Sequence, residues 1–180
     1  MTTAGHALMG MSFGVLCMPR RWSTRAKAGL LVVFAMLGNA PDVANKLTPY
    51  GWYNIVHSVF LNVGAILLLA AMLCVWWWQK GKPRGVWPIF WCGGGAWLSH
   101  LLLDTFYNHG KGIQIFWPAS DAALALPIPW FKTWQQPLDV YLIPNILTSL
   151  RELWVYGVLL LLCVLARHLW FRRSKTEMDQ

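Results

Sequence analysis

The chain has 180 residues, of which 57% are hydrophobic and only 12% charged. Soluble domains carry about 25% charged residues, so this composition excludes an ordinary soluble globule, and it has too much to bury for a disordered chain. The formal charge of +8 comes from basic residues set between apolar runs, a spacing that fits orientation in a bilayer and not nucleic-acid binding.

Five segments are predicted to be membrane helices in a single integral membrane domain, residues 1–180, giving an all-α polytopic bundle. The first two, about Ala4–Met18 and Lys27–Ala40, are short at about 1.5 Å per residue. They are expected to tilt, to extend through their flanks, or to form a re-entrant pair. Ile55–Trp78, Val86–Phe106 and Glu152–Trp170 each reach the length a bilayer needs. Gly93, Gly94 and Gly95 lie inside the fourth segment and would let a neighbouring helix approach closely. The first residues carry no Lys or Arg and His6 interrupts the early apolar run, so no signal peptide is expected. The 13 Trp suit two membrane–water interfaces. Cys17, Cys74, Cys92 and Cys163 lie in apolar stretches without a C-x-x-C, which argues against a disulfide framework or a thiolate metal site.

Lys and Arg cluster at Arg20, Arg21, Arg25 and Lys27, again at Lys80, Lys82 and Arg84, and in the tail at Arg167, Arg172, Arg173 and Lys175. The connections between these clusters are sparse, with Lys46 alone in one and Lys111, Lys132 and Arg151 spread through the other. The positive-inside rule then places the N-terminus outside and the C-terminus in the cytoplasm after five crossings. That topology was set without His, Asp or Glu, yet it gathers His6, Asp42, His57, His100, Asp104, His109, Asp121 and Glu152 toward the outer face and leaves only His168 inside.

The strongest local pattern is Ser99-His100-Leu101-Leu102-Leu103-Asp104. His and Asp at i and i+4 share one helical face and can reach one ion as paired ligands. Alternatively Asp104 orients His100, or the pair caps a helix end. Asn39-Ala40-Pro41-Asp42 is expected to end the second helix before the proline and to present Asp42 from a turn. His57-Ser58 opens the third segment, and Glu152, beside Arg151, opens the fifth.

His6, Asp42, His57, His100 and Asp104 therefore form the expected metal set, with His100, Asp104 and Glu152 as expected catalytic groups. Zinc suits such imidazole–carboxylate ligands, and manganese or iron accepts them. A bound metal of this kind acidifies water and polarises a phosphoryl or carbonyl oxygen. G-x-S-x-G, Walker A and G-x-G-x-x-G patterns are absent, and nothing marks Ser58, Ser99 or Ser120 as an activated nucleophile.

These motifs resemble a family. An early His, a Pro-Asp, a His-Ser and a Ser-His-x-x-x-Asp followed by Gly and Pro-x-Ser read here as His6, Pro41-Asp42, His57-Ser58, Ser99-His100 with Asp104, Gly110 or Gly112, and Pro118-Ala119-Ser120. The pattern is similar to bacterial inner-membrane, metal-dependent hydrolase-like proteins described as LexA-regulated or LexA-binding membrane hydrolases, distantly similar to zinc-dependent phospholipase C. Ala44 and Asn45 stand where that family often has a second acid, and Tyr53 and Asn54 where it often has a further His and Arg. The resemblance implies a membrane hydrolase.

The connection from Tyr107 to Leu150 holds Pro118, Pro127, Pro129, Pro137 and Pro144, which oppose one long helix, and Phe116, Trp117, Trp130, Phe131 and Trp134, which favour the headgroup layer. It is expected to be an extracytoplasmic interfacial lid. The combined expectation is a hydrolase of a phosphoester or ester in a lipid-like substrate, embedded in the bilayer at the outer face. The alternative is a non-catalytic metal-binding protein or an envelope partner.

Overall fold

The computed structural model describes residues 2–49, 52–108, 112–126, 131–132 and 141–178, with side chains for these except 107–108, 131–132 and 171–178. Seven helices are present among the described residues: α1 (Thr3–Cys17), α2 (Thr24–Gly38), α3 (Ala40–Leu47), α4 (Tyr53–Val56), α5 (Val59–Gln79), α6 (Val86–Phe106) and α7 (Ile143–Met178). Two residue pairs, Tyr107–Asn108 (β1) and Phe131–Lys132 (β2), align in parallel. The protein is a helical membrane bundle.

Two helices, α5 and the 28 residues Ile143–Trp170 of α7, are long and apolar enough to cross a bilayer. The α2–α3 pair qualifies as a third when its 59° break is treated as one broken or re-entrant span. Helix α1 is apolar but shorter. Helix α6 matches α5 in length, at 21 residues, and its content is that of an interior helix: His100, Asp104, Ser99 and Thr105 are all buried along it. Leu68, Met72 and Trp78 on α5, and Trp154 and Leu161 on α7, are exposed, as lipid-facing side chains are.

Helix α6 is the hub because its glycines approach three different helices. A Cβ on Gly95 would stand 2.9 Å from Phe13 of α1, one on Gly93 3.2 Å from Leu37 of α2, and one on Gly94 3.5 Å from Ile66 of α5. Successive residues rotate by about 100° around a helix, so three adjacent glycines open three directions. Helices α1 and α2 meet more closely still. A Cβ on Gly10 would lie 2.1 Å from the Phe34 carbonyl oxygen, and one on Gly38 2.3 Å from the His6 carbonyl oxygen. Leu30, Phe34 and Ala96 form the buried apolar core beside these crossings. From α7, Arg167 donates to the Val15 carbonyl at 2.7 Å and to that of Met18, closing the C-terminal end of α1.

Three sequence expectations change. Helix α2 ends at Gly38, before Pro41 as expected, but Pro41 then sits in the first turn of a further helix, α3, where a missing N–H costs nothing, so Asp42 is held by a helix and not by a turn. His57 does not open the long helix. It is the C-cap of α4, with Ser58 the N-cap of α5. The connection after α6 ends earlier than Leu150, because α7 begins at Ile143 with Pro144 in its first turn. Glu152 therefore lies well inside α7 and does not open it. His109, Gly110, Lys111, Pro127, Pro129, Trp130, Trp134 and Pro137 lie outside the described residues.

Candidate metal centre

Four elements bring His6 (α1), Asp42 (α3), His57 (between α4 and α5), and His100 with Asp104 (α6) to one place. His6, His57, His100 and Asp104 are at most 3% exposed. The Asp42 side chain is about one-third exposed, at 33%.

His57 and His100 are prepared in the same way. Nδ1 of His57 donates to the Tyr53 carbonyl at 2.9 Å, and Nδ1 of His100 donates to the Gly38 carbonyl at 2.9 Å. Both rings then aim Nε2 inward, and both Nε2 atoms are buried without a hydrogen-bond partner. A buried nitrogen left in that state costs about 1–3 kcal/mol. Two carboxylates face them. Asp104 Oδ2 is 3.3 Å from His100 Nε2 and 3.8 Å from His57 Nε2; Asp42 Oδ1 is 3.7 and 3.6 Å away respectively. Nitrogen and oxygen ligands about 2.0–2.1 Å from one tetrahedral ion stand about 3.4 Å apart, so these imidazole–carboxylate separations are of the size that shared binding of a divalent ion requires.

His6 differs from the other two imidazoles. Its Nε2 is 3.1 Å from Asp104 Oδ1, and its ring stacks on that of His100 with centroids 3.7 Å apart. Two trios have ligand atoms close enough to share an ion, His6–His100–Asp104 and Asp42–His57–His100. The Tyr53 ring stacks on His57 at 4.1 Å. Burial pushes the Tyr53 phenol up, and the Asp104 and Asp42 carboxylates add to the shift, so this ring stays neutral.

Glu152 is buried on α7. Its Oε2 accepts from the Thr2 backbone N–H at 2.9 Å and from the Thr2 hydroxyl. Thr2 is the N-cap of α1, so Glu152 holds the end of the helix that carries His6. Asp121 lies in an exposed segment, where its carbonyl accepts from Gln114 Nε2.

The segment from Gly112 to Leu126 is tied down on both sides of the centre. Val59 N–H donates to the Ile115 carbonyl at 2.8 Å, and Ser58 Oγ donates to the Trp117 carbonyl, next to His57. Leu126 N–H donates to the Thr105 carbonyl at 2.9 Å, next to Asp104. Ile113 and Leu124 pair with each other, and Ile113 is buried.

Sequence reasoning missed Gly38, Tyr53 and Asn62. The first two act through backbone carbonyls, which every residue type has. Asn62 accepts the Trp97 indole N–H at 2.7 Å and donates to the Val56 and Ser58 carbonyls at 2.8 and 2.7 Å. The Gly10-x-x-x-Gly14 spacing was the available signal for the α1–α2 crossing.

A helical membrane bundle with a buried His/Asp centre defines the class: an integral membrane protein with a metal-capable site. The chain belongs to the YdjM inner membrane protein family, which it matches over residues 1–175. It is 30% identical over 152 residues to inner membrane protein YbcI of Escherichia coli (strain K12), covering 79% of this chain and 82% of that one. Both names state a membrane location and no reaction. No solved structure matches the chain.

Proposed function

We propose that this protein is a membrane-embedded, metal-dependent hydrolase acting on a phosphoester or ester of a lipid-like substrate at the outer face of the inner membrane. The observation that carries the reading is the pair of buried, hydrogen-bond-free Nε2 atoms of His57 and His100 facing the carboxylates of Asp42 and Asp104. His57, His100, Asp42 and Asp104 hold the ion, and His6 hydrogen-bonds the second oxygen of Asp104 to fix that carboxylate. The carbonyls of Gly38 and Tyr53 set the imidazole tautomers, as outer partners of metal-binding histidines do. Zinc, manganese or iron bound by this set would supply Lewis acidity toward a phosphoryl or carbonyl oxygen and a nucleophile at neutral pH.

Asp42 is the exposed member, so substrate enters on its side. In this reading the segment 112–126 covers the centre. The basic clusters at 20–27 and 80–84 support a reading in which those turns face the cytoplasm, with the N-terminus outside and the C-terminus inside.

One observation favours a second reading. Four protein donors complete a tetrahedral shell, and closed zinc sites are structural. An ion taking five or six ligands keeps positions open in the same site, so metal identity separates the readings.

The test is metal content by mass spectrometry on detergent-purified protein prepared without chelator, followed by turnover on a panel of lipid esters and phosphoesters. The hydrolase reading requires near-stoichiometric metal, lost in His57→Ala and His100→Ala, and turnover lost with it. Stoichiometric metal without turnover on any ester supports the structural role, and no metal after reconstitution removes both readings.

A further inference from the structure

Helices α2 and α5 diverge across the glycine floor of α6 and leave a cavity of about 510 Å³, within the range of ligand pockets. Every side chain lining it is apolar or aromatic. Its floor is Gly93 and Gly94, where any side chain would fill the space between Leu37 and Ile66. Along α5 it runs from Ile66 to Trp76, about 15 Å at the helical rise. That is half of a hydrocarbon core about 30 Å thick, the depth of one leaflet. Val33, Leu69 and Met72 on its rim are exposed, so the cavity is open from the side, where lipid tails lie.

The cavity is continuous with the supports of the metal centre. Leu37 lines it and immediately precedes Gly38, whose carbonyl holds His100. Trp97 lines it one helical turn before His100. The Trp97 indole N–H leaves the cavity to bond Asn62, which in turn ties the carbonyls on either side of His57. One end of an apolar slot thus adjoins the residues that support both imidazoles. We propose that the slot binds one fatty acyl chain of a membrane glycerophospholipid, with the headgroup ester at the His/Asp centre. This assignment names the substrate class of the proposed hydrolase and rests on that reading for the headgroup end. A polar solute finds almost no hydrogen-bonding surface in this lining, and a wholly lipid-facing surface would not end against the supports of a buried centre.

The experiment uses full-length protein in phosphatidylethanolamine–phosphatidylglycerol nanodiscs carrying a trace of phosphatidylethanolamine with a diazirine on its acyl chain. After irradiation, labelled peptides are mapped by mass spectrometry and metal is counted in the same sample. Labelling of the α2 and α6 walls is expected to exceed that of the lipid-facing Leu161 and Leu165 of α7 by at least fivefold. Gly94→Leu, which grows a side chain into the slot from the floor, is expected to cut wall labelling at least fivefold. It should leave α7 labelling and metal content unchanged. Met72→Trp narrows the slot from the rim and provides the same test should Gly94→Leu fail to fold. Wall labelling no higher than that of α7, or insensitive to both substitutions, overturns the proposal. So does stronger displacement by a polyprenyl phosphate than by unlabelled phosphatidylethanolamine. Enriched wall labelling in wild-type protein that binds no metal keeps the chain site and removes the hydrolase reading.

Discussion

The Gly38 carbonyl accepts the Nδ1 hydrogen of His100 at 2.9 Å, and the same residue is one of the points where α2 presses closely on α1. A Cβ there would sit 2.3 Å from the His6 carbonyl oxygen. One glycine therefore joins two tasks, close helix packing and the orientation of a site imidazole. Helix association in lipid depends on such close packing of small residues, since tails are as apolar as the helices they surround.

Gly38→Ala and Gly10→Ala are expected to destabilise the protein, because each new methyl meets a backbone carbonyl that cannot move aside. Overpacking of this kind costs about 1–3 kcal/mol. Gly64→Ala, on a position with nothing within 4 Å, is expected to be neutral to stabilising, since glycine weakens helix interiors by about 0.5–1 kcal/mol relative to alanine. Thermal melting in one detergent checks the sign. Equal effects at positions 38 and 64 would show that the crossing is not as tight as the backbone distances make it.

The three histidines are expected to differ in metal affinity. His57→Ala and His100→Ala each delete a nitrogen that faces both carboxylates and should abolish stoichiometric binding. His6→Ala removes a partner of Asp104 Oδ1 and the ring stacked on His100, and loss of such outer contacts typically costs about 10–100-fold. Competition against a chelator of known affinity measures the difference. A His6→Ala protein as empty as His100→Ala would move His6 into the ligand shell, through the trio it forms with His100 and Asp104.

Much of this arrangement was legible in the sequence, and the illegible parts share a cause. Helix α6 has the expected bounds, Val86–Phe106, because an apolar run between basic turns is a strong signal. The i and i+4 spacing of His100 and Asp104 and the shared side of His6, Asp42 and His57 anticipated the cluster. Proline misled twice. Helix α2 does stop before Pro41, at Gly38, but Pro41 and Pro144 each occupy the first turn of a further helix that was not expected to start there, the one helical location that tolerates proline. The carbonyl acceptors of Gly38 and Tyr53 had no sequence signal, since a backbone acceptor does not depend on residue type. Glu152 was expected to open the fifth segment because the start of α7 was misplaced, and its contact with Thr2, 150 residues away in the chain, had no sequence signal.

Ser58→Ala tests the cover. The hydroxyl of Ser58 both donates to the Trp117 carbonyl and accepts from Phe60 N–H as the cap of α5. Losing a serine cap costs about 1 kcal/mol. The expected local result is faster hydrogen exchange at the Ile113 and Leu124 amides, which pair with each other, with α6 unaffected. Unchanged exchange at those amides would mean that the Val59 and Leu126 backbone bonds hold the segment without the serine.

Glu152→Ala separates a structural role from a catalytic one. The carboxylate is buried and accepts from both donors of Thr2, the residue that starts α1. Hydrogen bonds to a charged group contribute about 1.5–3 kcal/mol, so the variant is expected to melt at a lower temperature. At saturating metal it should still reach wild-type stoichiometry, because Glu152 belongs to neither trio of metal-capable groups. Its apparent affinity should fall modestly, since α1 carries His6 and a looser α1 holds Asp104 less firmly. Glu152→Gln, which keeps one acceptor oxygen, should recover part of the stability. A variant with normal melting and full metal content but no turnover would return Glu152 to the reacting groups, and the contact with Thr2 would then be incidental to its role.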